Sequence, residues 1–242
     1  MNLPKQVTPD SVKEAVVEIR YRCDIPFEIL LGMYFTALDN SYTYVSRPIQ
    51  IPSINGPEDI NFHTVNKAFF YNDKINLQAQ PGSLVFTCLE EYLGWEVYKQ
   101  QISKVLEQLT NIEAEIIWSR VGVRFLNHYP NKDLKEIMNF EFTFGMPNIK
   151  SITSSIKSEF DYRDSKVLLN LKNKVSLQAD LKDGEPEWIP TSVIDIDVIT
   201  YIKESNDLSV LLQTIDFNHE TEKELYFNML TPDFLKSLNP KY

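Results

Sequence analysis

Two hexapeptides constrain this chain more than any other feature: residues 74–79 read KINLQA and residues 174–179 read KVSLQA. In each, apolar side chains fall on alternate positions (Ile75, Leu77 and Ala79; Val175, Leu177 and Ala179), the period of a strand with one buried face. A Ser-led apolar strand ending in Tyr follows each, at 83–92 and 192–201, and then a helix. The opening strands also correspond, Ile19-Arg20-Tyr21 against Val123-Arg124-Phe125. Matches recurring in the same order predict an internal duplication.

Each copy reads as a β-α-β-β-β-α unit. Residues 14–22 alternate, and residues 26–38 carry Phe27, Leu30, Leu31, Tyr34, Phe35 and Leu38 at helical spacing behind Pro26. Short strands are predicted at 42–50, 68–71, 74–80 and 83–88, with Pro81-Gly82 as a tight turn. A helix opens at Gly94 with an apolar stripe led by Trp95, which is expected to be a buried anchor. The second series alternates from Trp118, has a short helix at 133–138, and has strands at 140–144, 151–162, 167–171, 174–180 and 192–201. A short helical segment at 208–212 precedes a closing helix predicted from Asn218. The expected fold is therefore α+β: one domain over 1–242, made of repeats 12–110 and 117–232 that form one curved antiparallel sheet with helices on one side.

Composition excludes several classes. With 43% hydrophobic and 12% aromatic residues the chain is globular rather than disordered. The net charge is −10, split as −5 on residues 1–120 and −5 on 121–242. Duplex nucleic-acid binding rests on a clustered positive field, so it is not expected here. The two cysteines, Cys23 and Cys88, cannot form a disulfide framework or a Cys-based zinc site. No apolar run approaches the ~20 residues of a membrane span, and residues 1–10 lack a signal-peptide core. The expected location is the cytoplasm.

Glycines occur only at 32, 56, 82, 94, 122, 145 and 184, so neither GxGxxG, GxxxxGK nor GxSxG can be written. No catalytic residue, metal site or cofactor is predicted. His63, His128 and His219 lack metal-binding spacing, and His219-Glu220 reads as a surface pair at a helix start.

Four segments resemble a sporadically distributed bacterial protein family. They are EAVVEIRYR from Glu14, the element Tyr92, Gly94, Trp95 and Glu96, the element Arg120, Gly122, Arg124, Phe125 and Asn127, and NHETEKELYFNMLTP from Asn218. The resemblance implies a bacterial cytoplasmic protein and transfers no catalytic residues. The duplicated unit also resembles the TATA-box-binding-protein-like architecture, which implies a fold and not a function.

Strand parity puts Val17, Ile19, Ile75, Leu77, Val121 and Val123 toward the helices. It puts Glu18, Arg20, Arg22, Phe86, Trp118, Arg120, Arg124, Asp195 and Asp197 on the opposite face, with Asn76, Gln78 and Gln178. Glu18, Arg20, Arg22, Trp118, Arg120, Arg124, Asp195 and Asp197 are the candidate binding residues. Arg20 and Arg124 are expected as neighbours offset by carboxylates.

The leading functional expectation is a non-catalytic binding module with a protein partner, of the toxin-neutralising or defence-associated accessory kind. A homo-oligomer is compatible with the sequence. One alternative is an enzyme of unknown class with metal-dependent phosphate chemistry at Asp195/Asp197, whose spacing puts both carboxylates on one face; Glu159 and Asp180 would be companions. Another is a small-ligand binder.

Overall fold

The computed structural model describes residues 3–56, 59–139, 153–179 and 187–242, and the side chains of these except 49–66, 179 and 187. The expected strand at 140–144 and the candidate Asp180 lie outside the described residues. The fold is α+β. Its strands are β1 (Val12–Arg22), β2 (Thr43–Gly56), β3 (Asp59–Tyr71), β4 (Ile75–Gln80), β5 (Ser83–Cys88), β6 (Ile117–Pro130), β7 (Ser154–Tyr162), β8 (Ser165–Ala179) and β9 (Glu187–Ser205). They hydrogen-bond in the order β2-β3-β4-β5-β1-β6-β9-β8-β7. The helices are α1 (Phe27–Leu38), α2 (Trp95–Thr110), α3 (Leu134–Ile137), α4 (Leu208–Met229) and α5 (Pro232–Ser237). None of the described helices is long and apolar enough to cross a membrane.

The chain divides into two compact units. A leading unit comprises Val16–Val121 and Tyr201–Thr214, and a trailing unit comprises Met1–Ala15, Gly122–Thr200 and Ile215–Tyr242. Strands β1, β6 and β9 and helix α4 therefore give residues to both.

In the leading unit, alternation works as the sequence predicts on β1, where Val17, Ile19 and Tyr21 are buried and Arg20 and Arg22 exposed. The register Val17↔Phe86 and Ile19↔Leu84 continues the apolar face into β5, and Leu77↔Phe86 continues it into β4. Gly82 takes a left-handed φ of 72° in the β4–β5 turn, a conformation only glycine adopts cheaply. The α2 residues Tyr98, Ile102, Val105, Leu106 and Leu109 are fully buried, and the Tyr98 hydroxyl donates to the Phe86 carbonyl at 2.7 Å. Helix α1 covers the same face, with Phe35 edge-on to Tyr44 and Tyr44 against Phe70.

Trp95 is only half-buried and packs edge-on to Tyr98, so Tyr98 is the anchor of α2. The hairpin β2–β3 is much longer than expected. Residues 51–66 contain Pro52, Asn55, Gly56 and Pro57, whose turn signals mask the backbone pairing from Ile51↔His63 to Ile54↔Ile60.

The trailing unit has its own core, formed by Tyr129, Ile137, Met138, Val167, Leu171, Ile194, Ile196 and Val198 with Tyr226, Leu230 and Leu238. The predicted strands at 167–171 and 174–180 are one strand, β8, interrupted by a register shift between Lys172 and Val175. Lys174 sits there at φ 49°, and the Ser192 hydroxyl accepts from the Lys174 N–H at 3.2 Å.

Both hexapeptides lie on strands. In the first, Gln80 pairs with Ser83 across the turn, whereas in the second, Val175 pairs with Thr191. Ser192 thus sits beside the irregularity in β8 and does not occupy the place that Ser83 holds.

Candidate functional sites: a polar sheet face and a buried polar helix face

The leading unit leaves one face of its strands uncovered by α1 and α2. The registers Arg20↔Ser83, Glu18↔Val85, Gln78↔Val85, Phe69↔Gln78 and Val45↔Phe69 carry that face from β1 through β5, β4 and β3 to β2. Its described side chains are half-buried or exposed except Ser83. Glu18 is the hub at its β1 side. Its Oε2 accepts from Arg120 Nη1 at 2.7 Å, and its Oε1 accepts from Arg20 Nε at 3.1 Å. Burial acts to raise the Glu18 pKa, but the bonds and charges of Arg120 and Arg20 outweigh it together and hold the carboxyl below its ordinary value. Arg20 remains 57% exposed. Arg22 pairs with Glu204 and stays exposed. Farther along, Arg47 lies over the Phe69 ring with its guanidinium carbon 5.7 Å from the centroid.

The sequence placed two aromatic residues on this polar face, and the structure puts both in the core. Phe86 is buried because it pairs with Val17 and Leu77, so Val85 and Thr87 take the polar side of β5. Trp118 is 0% exposed and stands edge-on to Tyr21 at 6.4 Å. Burial on β6 falls on Trp118 and then on Val121, Gly122 and Val123. Strict alternation fails over that stretch, so a parity argument carried from Val123 back to Trp118 chooses the wrong side.

In the trailing unit Arg124 and Asp195 form a two-pronged pair, Nε to Oδ1 at 2.7 Å and Nη2 to Oδ2 at 3.0 Å. The Asp195 side chain is only 9% exposed. Asn170 adds a donor at 3.4 Å, and Glu14 approaches Arg124 at 4.0 Å. The hydrogen bonds from Arg124 to Asp195 hold the guanidinium pKa above its ordinary value. Arg20 and Arg124 thus each have carboxylate partners within their own unit. Asp197 is half-buried and its charge also acts on Arg124. Glu159, a suggested companion of the acidic pair, is engaged by Lys166 instead. Among the described residues no cluster of three or more His, Cys, Asp or Glu side chains is arranged to hold a metal ion.

The sequence reading missed a third constellation. Helix α4 begins at Leu208, so Asn218 and His219 lie in its middle and not at its start. Asn218, Glu222 and Tyr226 recur every fourth residue, which stacks them on one face, and all three are buried with His219 and Thr221. The Asn218 amide donates to the Val198 carbonyl at 3.1 Å and its oxygen accepts from Thr200 at 2.6 Å. The Tyr226 hydroxyl bonds to that of Tyr129, and Ser11 Oγ lies 2.9 Å from Asn127 Oδ1, 3.1 Å from the Tyr129 hydroxyl and 3.3 Å from that of Tyr226.

Burial raises the Glu222 carboxyl to about 8, opposed only by Lys223, so it is protonated at neutral pH. Burial lowers the His219 pKa against the pull of Glu220. The signal for this face was present as the i, i+4, i+8 spacing of Asn218, Glu222 and Tyr226. It was hidden by starting the helix at Asn218.

Chemically the buried cluster holds a proton and ties residue 11 to β6 and α4. Ser11 has no base among its hydrogen-bond partners, and burial pushes the Cys88 thiol up, away from a thiolate. No protein-family model matches this sequence, and none of the curated proteins matches it.

Proposed function

We propose that this chain is a non-catalytic binding module of the bacterial cytoplasm, arisen by internal duplication, that engages a protein partner. A toxin-neutralising or defence-associated accessory role is the functional class this reading favours. The observation that carries it is the polar face of the leading unit. Strands β1, β2, β3 and β4 place Arg20, Arg22 and Arg47, the amides Asn76 and Gln78, and Phe69 on one face, half-buried or exposed. Arginine and aromatic side chains beside amide hydrogen-bonders are the residue types enriched at interface centres. The rival metal-site reading of Asp195 is weaker because Arg124 and Asn170 already take both of its oxygens.

The test compares tagged wild type with Arg20→Glu/Arg22→Glu in lysate of the native host, after circular dichroism shows equal folding. The expected result is a stoichiometric partner retained by wild type and lost by the variant. Retention of the same partner by both would refute the assignment to this face.

A further inference from the structure

We infer that the partner presents an acidic protein surface to the polar face of the leading unit; this rests on reading that face as a binding surface. The inference comes from a local charge that opposes the chain as a whole. The chain carries −10. Among the described side chains of the leading unit, this face nevertheless carries Arg20, Arg22, Arg47 and Lys67 on β1, β2 and β3 against Glu18; β6 adds Arg120 and β9 adds Glu204.

Glu18 and Glu204 are shared among Arg20, Arg120 and Arg22, while Arg47 rests on an aromatic ring, which leaves its guanidinium N–H groups able to fork onto a carboxylate. Between the cations lie Asn76, Gln78, Phe69 and Val85, all half-buried. They offer amide hydrogen bonds and apolar contact of the kind a folded or extended polypeptide uses.

A nucleic-acid strand fits less well. Its affinity depends on many phosphate contacts along a continuous positive track, and beyond this face it would meet a chain of net negative charge. A few carboxylates on a protein surface need only the local patch, since charges farther off than about 8–10 Å are screened at physiological salt.

The experiment uses the intact protein and three defined probes. They are a fluorescent peptide of about twelve residues made of Asp, Glu and Tyr, its Asn/Gln counterpart, and an oligothymidylate of similar length. Anisotropy gives affinity, and backbone amide NMR locates contacts. The acidic peptide is expected to bind tightest, to shift the amides of Arg20, Gln78 and Phe69, and to weaken with salt. Arg20→Glu/Arg22→Glu is expected to weaken it about tenfold or more with an unchanged far-ultraviolet spectrum. If the neutral peptide or the oligothymidylate binds this face as tightly, the face remains a binding surface and the acidic-partner inference is overturned. If the acidic peptide shifts no amide of this face, the inference is likewise overturned, whatever the lysate comparison shows.

Discussion

The leading and trailing units bury different chemistry beneath their helices. In the leading unit α1 and α2 bury Leu30, Tyr34, Leu38, Tyr98, Ile102 and Leu109, and the strands bury Val17, Ile19, Leu77 and Phe86, an apolar set in which the Tyr98 hydroxyl has its acceptor in the Phe86 carbonyl. In the trailing unit α4 turns Asn218, His219, Thr221, Glu222 and Tyr226 inward. Apolar burial is insensitive to pH, whereas a buried acid and a buried imidazole must stay neutral to remain buried. The outer sides differ in the opposite sense: the trailing unit holds Asp195 tightly against Arg124, while the leading unit leaves Arg20 and Arg22 exposed. Adaptable contacts therefore lie over the apolar, pH-indifferent core.

The largest expected effect lies in the leading core. Trp118→Ala should cost about 3–5 kcal/mol in denaturant unfolding, the usual range for a large aromatic removed from a packed site. Trp95→Ala should cost clearly less, because Trp95 is half-buried. Equal losses would mean that the two indoles are equivalent anchors.

Glu222 sharpens the contrast between the cores. The folded protein keeps its proton up to about pH 8, whereas an ordinary glutamate releases it near 4.5. Between those values the fold binds more proton than the unfolded chain. The stabilisation is therefore complete below 4.5 and is lost as pH rises toward 8. Glu222→Gln should flatten that slope and raise the melting temperature most at pH 8.5, with little change at pH 5. His219 acts oppositely, since its depressed pKa makes stability fall as pH drops below 6.5. A wild-type stability curve flat from pH 5 to 8.5, with Glu222→Gln superimposed on it, would refute the buried-acid account.

The outer faces give smaller effects. Arg124→Leu strands the buried Asp195 carboxylate and should cost about 1–2 kcal/mol, less than a fully buried pair because Arg124 is 40% exposed. Asp195→Asn in the same background should recover part of it. Arg20→Leu should change stability by only about 0.5 kcal/mol or less, as exposed pairs do. If Arg20→Leu costs as much as Arg124→Leu, the leading face is as structural as the trailing one.

The α+β class was legible from the mix of alternating and helical spacings, and the β1 face because Glu14 to Arg22 alternate nearly without interruption. The pairing of Arg124 with an acid of its own face was legible too, since parity fixed the side on which each would project. Trp118 and Phe86 were misplaced because parity was carried across a stretch where it slips and into β5 without a known register. The α4 polar face was missed for a different reason. Tertiary burial, not local sequence, decides whether Glu222 faces water, and a run of Glu and Lys around it reads as a solvated surface.

The central claim is that the exposed arginines of the leading unit serve binding while Arg124 serves stability. The direct measurement sets Arg20→Glu/Arg22→Glu beside Arg124→Leu and scores each for melting temperature and for retention of the native partner. The expected result is a near-wild-type melting temperature with lost partner for the first, and a lowered melting temperature with partner retained, below that temperature, for the second. A first variant that melts like wild type and still retains the partner would contradict the claim.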